Sequence, residues 1–226
     1  MNTFIMNRKI ITFFILVAIF TLNIIGFGKD KPDNEIKELA SAGFKFILDK
    51  IPAGSETNYG FNNRGEFSKV TVGAPFQVYT IVSESLKGKL SSSKNYFVPI
   101  DEWRIPLVVD GQNRALLTAA PMNGEWKIVD FGAAGLASEI GEFDSKHPAV
   151  ASTQRKILLR IYPLQIDFLL YQSETAGLPQ QTIYPLQSAA RMLKSSVKAG
   201  KSVLMLNDIL PVIKSKLVEQ HIIEDK

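Results

Sequence analysis

Two turn signals in close succession constrain this chain more than any other feature. Asp110-Gly111-Gln112-Asn113 stands between the apolar stretch 105–109 and the stretch 114–120, and Asn123-Gly124 leads from there into 125–131. Pairs of this type accept the positive φ angles that tight hairpins demand, so at least two consecutive antiparallel hairpins are expected. Such a meander argues against a parallel nucleotide-binding sheet.

Around the meander the periodicity changes twice. Ile36, Leu39, Ala40, Phe44, Ile47, Leu48 and Ile51 recur at helical spacing, Asp33 or Asn34 offers a cap, and Pro52 closes the run, which predicts a helix over 34–51. From Tyr59 onward Phe67, Val70 and Val72, then Phe76, Val78, Thr80 and Val82, suggest two strands parted by Gly73-Ala74-Pro75. Residues 83–95 are Ser- and Lys-rich and read as a loop. Two short strands are expected at 96–100 and 105–109, with Trp103-Arg104 between them. Gly132 releases the last meander strand into a helix over 133–143. Residues 147–154 read as a hinge, and 155–172 as paired strands with Pro163 at an edge, bend or bulge. A short helix is expected to begin at Pro185, and Asn207 or Asp208 to cap a terminal helix with Pro211 in its first turn.

The resulting fold class is α+β: an antiparallel meander sheet with a packed N-terminal helix and a helical C-terminal portion. The alternative is two lobes split near 147–154. The nine residues 123–131 (NGEWKIVDF) resemble the hairpin strand of small exported helix-plus-sheet domains such as cystatin-like or NTF2-like folds. That resemblance implies architecture alone, and no functional residue is carried over from it.

Residues 1–28 are a separate object. Arg8 and Lys9 precede an apolar run from Ile10 to Ile25, and Gly26 and Gly28 follow at signal-peptidase spacing. The expected alternatives are a cleaved secretory signal or an uncleaved N-terminal anchor through residues 10–27, either of which places 29–226 outside the cytoplasm as a single exported domain. Every acidic residue lies beyond Gly28, so that domain is nearer neutrality than the +4 of the whole chain. Nucleic-acid binding needs a concentrated basic footprint and is not expected. Membrane contact is expected only through an uncleaved leader.

Chemistry is narrowed by what the chain lacks. With no cysteine and two histidines, it offers no disulfide, thiolate nucleophile or His-rich metal site. Neither a metal nor a cofactor is therefore expected. Gly200-Lys201-Ser202 lacks the upstream glycine of a phosphate loop, since residue 195 is Ser. Asp130-Phe131-Gly132 spells a kinase triplet without its companion motifs. His147 and His221 lie in no hydrolase pattern, so no catalytic residue is assigned. Among the acids, Asp101, Glu102 and Glu125 adjoin tryptophans, the arrangement in which rings stack on sugars and paired carboxyls share a proton.

Two ligand-binding candidates remain. Trp103 and Arg104, placed between short strands, could reach a cleft mouth, where Trp supplies area and Arg a bidentate anion contact. Tyr184 and Arg191 flank an expected helix first turn whose free amides attract anions. The leading expectation is a non-catalytic binding or interaction protein of the bacterial envelope or medium, its partner a protein or small ligand met outside the cytoplasm. A carboxylate-dependent hydrolase of envelope glycans and a structural scaffold component are the alternatives.

Overall fold

A computed structural model of the chain describes residues 33–87, 96–172, 181–193 and 204–222. The leader, most of the Ser- and Lys-rich loop and the Gly200-Lys201-Ser202 triplet lie outside the described residues. Among the described residues no helix is long and apolar enough to cross a membrane.

The fold is α+β. Helix α1 (Asp33–Asp49) leads through two 3-10 turns into strands β1 (Thr71–Val72), β2 (Phe76–Ile81), β3 (Phe97–Val109), β4 (Gln112–Met122) and β5 (Glu125–Gly132). Helices α2 (Ala134–Lys146) and α3 (Pro148–Thr153) follow, then β6 (Arg155–Ile161), β7 (Ile166–Gln172), β8 (Gln181–Pro185), α4 (Gln187–Leu193) and α5 (Leu206–Glu219). All strands join one eight-stranded sheet in the order β5-β4-β3-β2-β6-β7-β8, with β1 beside β3. Every pairing is antiparallel except β2 with β6.

The expected meander is present as β3-β4-β5. Asp110 and Gly111 have φ of 51° and 77°, and Asn123 and Gly124 have φ of 56° and 82°. Both hairpins thus close through two left-handed residues, whose twist matches that of the flanking strands.

Residues paired across strands share a face of the sheet, and the register divides the core into three. On the front face Trp103, Ile105, Leu107, Ala115, Leu117 and Ala119 meet Ile36, Ala40, Phe44 and Leu48 of α1. The same face continues across Ile157, Leu159, Phe168 and Leu170, which pack under Ile209, Leu210, Ile213 and Leu217 of α5. On the back face Phe76, Val78, Leu116, Leu158 and Leu169 are covered by Ala137 and Ile140 of α2. Helices α1, α2 and α5 each bury one apolar stripe, as their spacing dictates.

Several expectations are corrected. The stretches 96–100 and 105–109 are one strand, β3, because Arg104 finds the Thr118 hydroxyl on β4 and Glu102 finds the Tyr162 hydroxyl beyond β6. Phe67 lies in a 3-10 turn, Arg64–Lys69, and among the described residues no strand forms before Thr71. The Glu66 carboxylate accepts hydrogen bonds from both the backbone and the side-chain amide of Asn62, which tightens that turn. Pro185 ends β8 opposite Phe168, and the helix starts at Gln187. Helix α5 starts earlier than expected, with Met205 at its N-cap and Asp208 reaching back to accept a hydrogen bond from the Met205 amide at 2.9 Å. Pro211 therefore falls in the second turn, where its missing N–H leaves the Asn207 carbonyl without a helical partner. Residues 148–153 of the expected hinge form α3, and the described residues belong to one compact unit.

Candidate functional site

The four residues singled out from sequence are held in three different settings. Trp103 and Arg104 are consecutive in one strand, so they point to opposite faces and share no cleft. Trp103 is 3% exposed in the core under α1. Arg104, 7% exposed on the back face, is ion-paired with Glu102 at 2.7 Å and donates to the Thr118 hydroxyl at 2.6 Å. Tyr184 sits on β8 rather than at a helix start, buried among Phe143, His147 and Tyr171 with ring centroids 4.4, 5.7 and 5.9 Å away. Arg191 is exposed on α4. The Gln187 amide that opens α4 already donates to the Glu139 carboxylate, so the anion site expected beside Tyr184 and Arg191 is filled by the protein's own acid.

Arg104 and Arg191 stand at the ends of a charged array on the back face. Arg160 grips Asp167 through two bonds of 2.7 and 3.0 Å. Tyr162 donates to Glu102 at 3.1 Å, and Glu102 holds Arg104. Burial, and then the adjacent Glu102 charge, push the Tyr162 phenol up to about 12. Burial, assisted by repulsion from Asp167, raises the Glu139 carboxyl above its ordinary range, against the pull of the Gln187 amide and Arg191. Opposite charges pair along most of the array, Arg104 with Glu102 and Arg160 with Asp167, while Asp167 and Glu139 repel one another. The chemistry it supports is cohesion between strands rather than capture of an ion. The acids offered from sequence as a catalytic set do not gather. Asp101 and Glu102 face opposite sides of β3, and Glu125 lies at the β4–β5 turn beside Lys127.

A different part of the back face is concave. Helix α2 crosses the sheet and leaves a groove of about 550 Å³ between its outer flank and the β3–β4 turn. The lining from the sheet side is Gly111, Gln112, Asn113 and Arg114. The helix contributes Ala134, Ser138, Gly141, Glu142 and Ser145, one turn after another on a single flank, and Gly60 closes one end.

Small residues make the groove possible. A Cβ on Gly141 would lie 3.1–3.2 Å from the Asn113 side chain, so a larger residue would lift α2 from the sheet. Gly60 is more constrained. Its φ is +88°, and a Cβ there would fall 2.0 Å from the Arg114 carbonyl oxygen and 2.8 Å from the Ala134 Cβ. Only glycine supplies both the left-handed backbone and the space.

Electrostatically the groove is quiet. Arg114 donates to Glu66 at 2.8 Å, and its Nε is buried without a partner. Glu66 is 8% exposed and also accepts two 2.8 Å bonds from Asn62. Burial opposes its ionisation, but the Asn62 amides and then Arg114 outweigh burial and hold the carboxyl below the ordinary range. Glu142 is paired with Lys146 at 2.6 Å, and that contact lowers its pKa as well. Both charged residues of the lining thus have a counterion outside it, Glu66 for Arg114 and Lys146 for Glu142. What is left to face a ligand is the carboxamides of Gln112 and Asn113 and the hydroxyls of Ser138 and Ser145.

Sequence reasoning missed this groove. Ala134, Ser138, Gly141 and Ser145, small residues on the flank beside the apolar stripe of α2, were the one available signal. Among the described residues no group of three His, Asp or Glu side chains is placed to hold a metal ion. Comparison of the chain with family models, with curated proteins and with solved structures returns no match.

Proposed function

We propose that this chain is an exported, non-catalytic binding protein of the bacterial envelope or medium whose ligand occupies the groove between α2 and the β3–β4 turn. The observation that carries this reading is the groove itself. Its volume of about 550 Å³ falls within the range of small-ligand sites. Its walls are fixed by α2, by a tight hairpin and by the Glu66–Arg114 pair, so the cavity exists before any ligand arrives and little ordering cost attaches to binding. Glu142, held ionised by Lys146, has no proton to give at neutral pH, which favours binding over acid catalysis. Export rests on the order of charge, apolar run and small residues in 1–28.

Amide NMR of residues 29–226 against a panel of small anionic, cationic, apolar and neutral polar molecules tests the site. The expected result is that members of the panel shift Asn113, Ser138, Gly141 and Ser145 together. A panel that leaves these four residues unmoved overturns the assignment of the groove. Recovery of the native protein solely from cytosol overturns the exported half of the reading.

A further inference from the structure

Resting on that reading, we infer that the groove takes a neutral saccharide. The inference comes from matching each class of ligand to the lining. An anion would need a free cation, and the one cation among the described lining residues, Arg114, is engaged by Glu66 and has its Nε buried. A cation would need a free acid, and Glu142 is neutralised by Lys146. An apolar ligand would need a large apolar anchor, yet among the described residues the lining contains no Leu, Ile, Val, Met or aromatic side chain.

An extended peptide fares no better. Peptides gain affinity by adding a strand to a free sheet edge. The strand that lines the groove, β4, is paired on both sides, with β3 and with β5.

The remaining inventory suits hydroxyl groups. Each carboxamide offers two donors and an acceptor oxygen with two lone pairs, and each serine hydroxyl both donates and accepts. Ser145 already donates to the Gly141 carbonyl, which leaves its oxygen free to accept. Vicinal hydroxyls of a sugar present donor and acceptor side by side, the pattern that Gln112 and Asn113 answer from the sheet and Ser138 and Ser145 from the helix. Gly60, Gly111, Ala134 and Gly141 add no bulky side chain to the lining, which leaves room for a sugar ring between the helix and the sheet. Without an aromatic platform the affinity rests on these four polar side chains, which places the dissociation constant on the order of 1 mM.

The test is an amide NMR titration of residues 29–226 with neutral trisaccharides (cellotriose, maltotriose, chitotriose), with inorganic phosphate and with capped trialanine as the contrasting probes. At least one trisaccharide is expected to shift Asn113, Ser138, Gly141 and Ser145 with saturation. Because no charge takes part, its affinity should change less than about twofold between low and high salt. Ser138→Trp, on the exposed flank of α2, should abolish the saturable shifts while leaving the rest of the spectrum and the unfolding midpoint in place. Ser138→Thr, which keeps the hydroxyl, should retain binding. Shifts at these residues produced by phosphate or trialanine and by no trisaccharide would overturn the saccharide and leave the groove standing. Silence of the groove toward every probe would overturn both readings. Saccharide shifts confined to another face, unaffected by Ser138→Trp, would overturn the site and retain the ligand class.

Discussion

Replacing Glu66 by Gln removes one charge and almost no volume, and the surroundings set the cost. Three donors converge on that carboxylate at 2.8 Å: the Asn62 backbone amide on one oxygen, the Asn62 side-chain amide and Arg114 on the other. A carboxamide keeps a single acceptor oxygen. Wherever it turns, its NH2 confronts a donor, and Arg114 loses its counterion. Loss of one charge-assisted bond costs about 1.5–3 kcal/mol, and breaking a fully buried pair about 3–5 kcal/mol. The Arg114 side chain retains 19% exposure, so water relieves part of the second effect. A destabilisation of about 3 kcal/mol follows, and with an m-value of about 2 kcal/mol/M the urea midpoint should fall by about 1.5 M at neutral pH. The pH dependence is a second check. The folded pKa of Glu66 lies below the ordinary value of 4.5, so the carboxylate stabilises the fold fully above 4.5 and progressively less as pH falls through the folded value. The gap between wild type and variant should hold steady above that point and close beneath it. A midpoint shift under about 0.3 M at neutral pH would refute the reasoning, because the pair would then hold nothing together.

Two further substitutions test the backbone. Gly124→Val should cost about 1–3 kcal/mol from conformational strain alone, since nothing lies within 4 Å of a Cβ there. Gly60→Ala, where strain is joined by a 2.0 Å approach to the Arg114 carbonyl, should cost more than about 4 kcal/mol. Denaturant midpoints in the reverse order would show that the close approach is not what fixes Gly60. Pro211→Ala should restore the hydrogen bond to the Asn207 carbonyl and raise stability by about 1–2 kcal/mol, and a lowered melting temperature would contradict the second-turn placement.

What the sequence announced was local chemistry. The two hairpin turns were legible because Asp110-Gly111 and Asn123-Gly124 carry their left-handed backbone preference themselves. Helix α1 was legible because Ile36, Ala40, Phe44 and Leu48 repeat at its own period. The failures share a cause. Strand β3 runs unbroken through Asp101 to Arg104 because Arg104 finds Thr118 and Glu102 finds Tyr162, partners 14 and 60 residues away. The Arg64–Lys69 turn depends on Arg114, 48 residues from Glu66. The groove is assembled from Gly60, Gln112, Asn113 and the flank of α2, and its one local signal, the small residues of that flank, does not say what they face. Tryptophan and arginine drew attention at 103 and 104 because such residues anchor ligands, whereas here the fold spends both on its interior.

The lone parallel pairing, β2 with β6, bears on how the chain assembles. The β3-β4-β5 meander and the β6-β7 hairpin close through neighbouring segments, so each half can organise early. The seam between them unites residues far apart in the chain: the Thr80 hydroxyl donates to the Arg160 carbonyl across 80 residues. Loop-closure entropy therefore falls on this step, and docking of the two halves along β2 is expected to be the slow one. Until it happens, β2 shows one bare edge carrying Val78 and Tyr79. In a chain emerging N-terminus first, that edge is in the open long before β6 arrives, and it is the segment most in need of shielding from neighbouring copies.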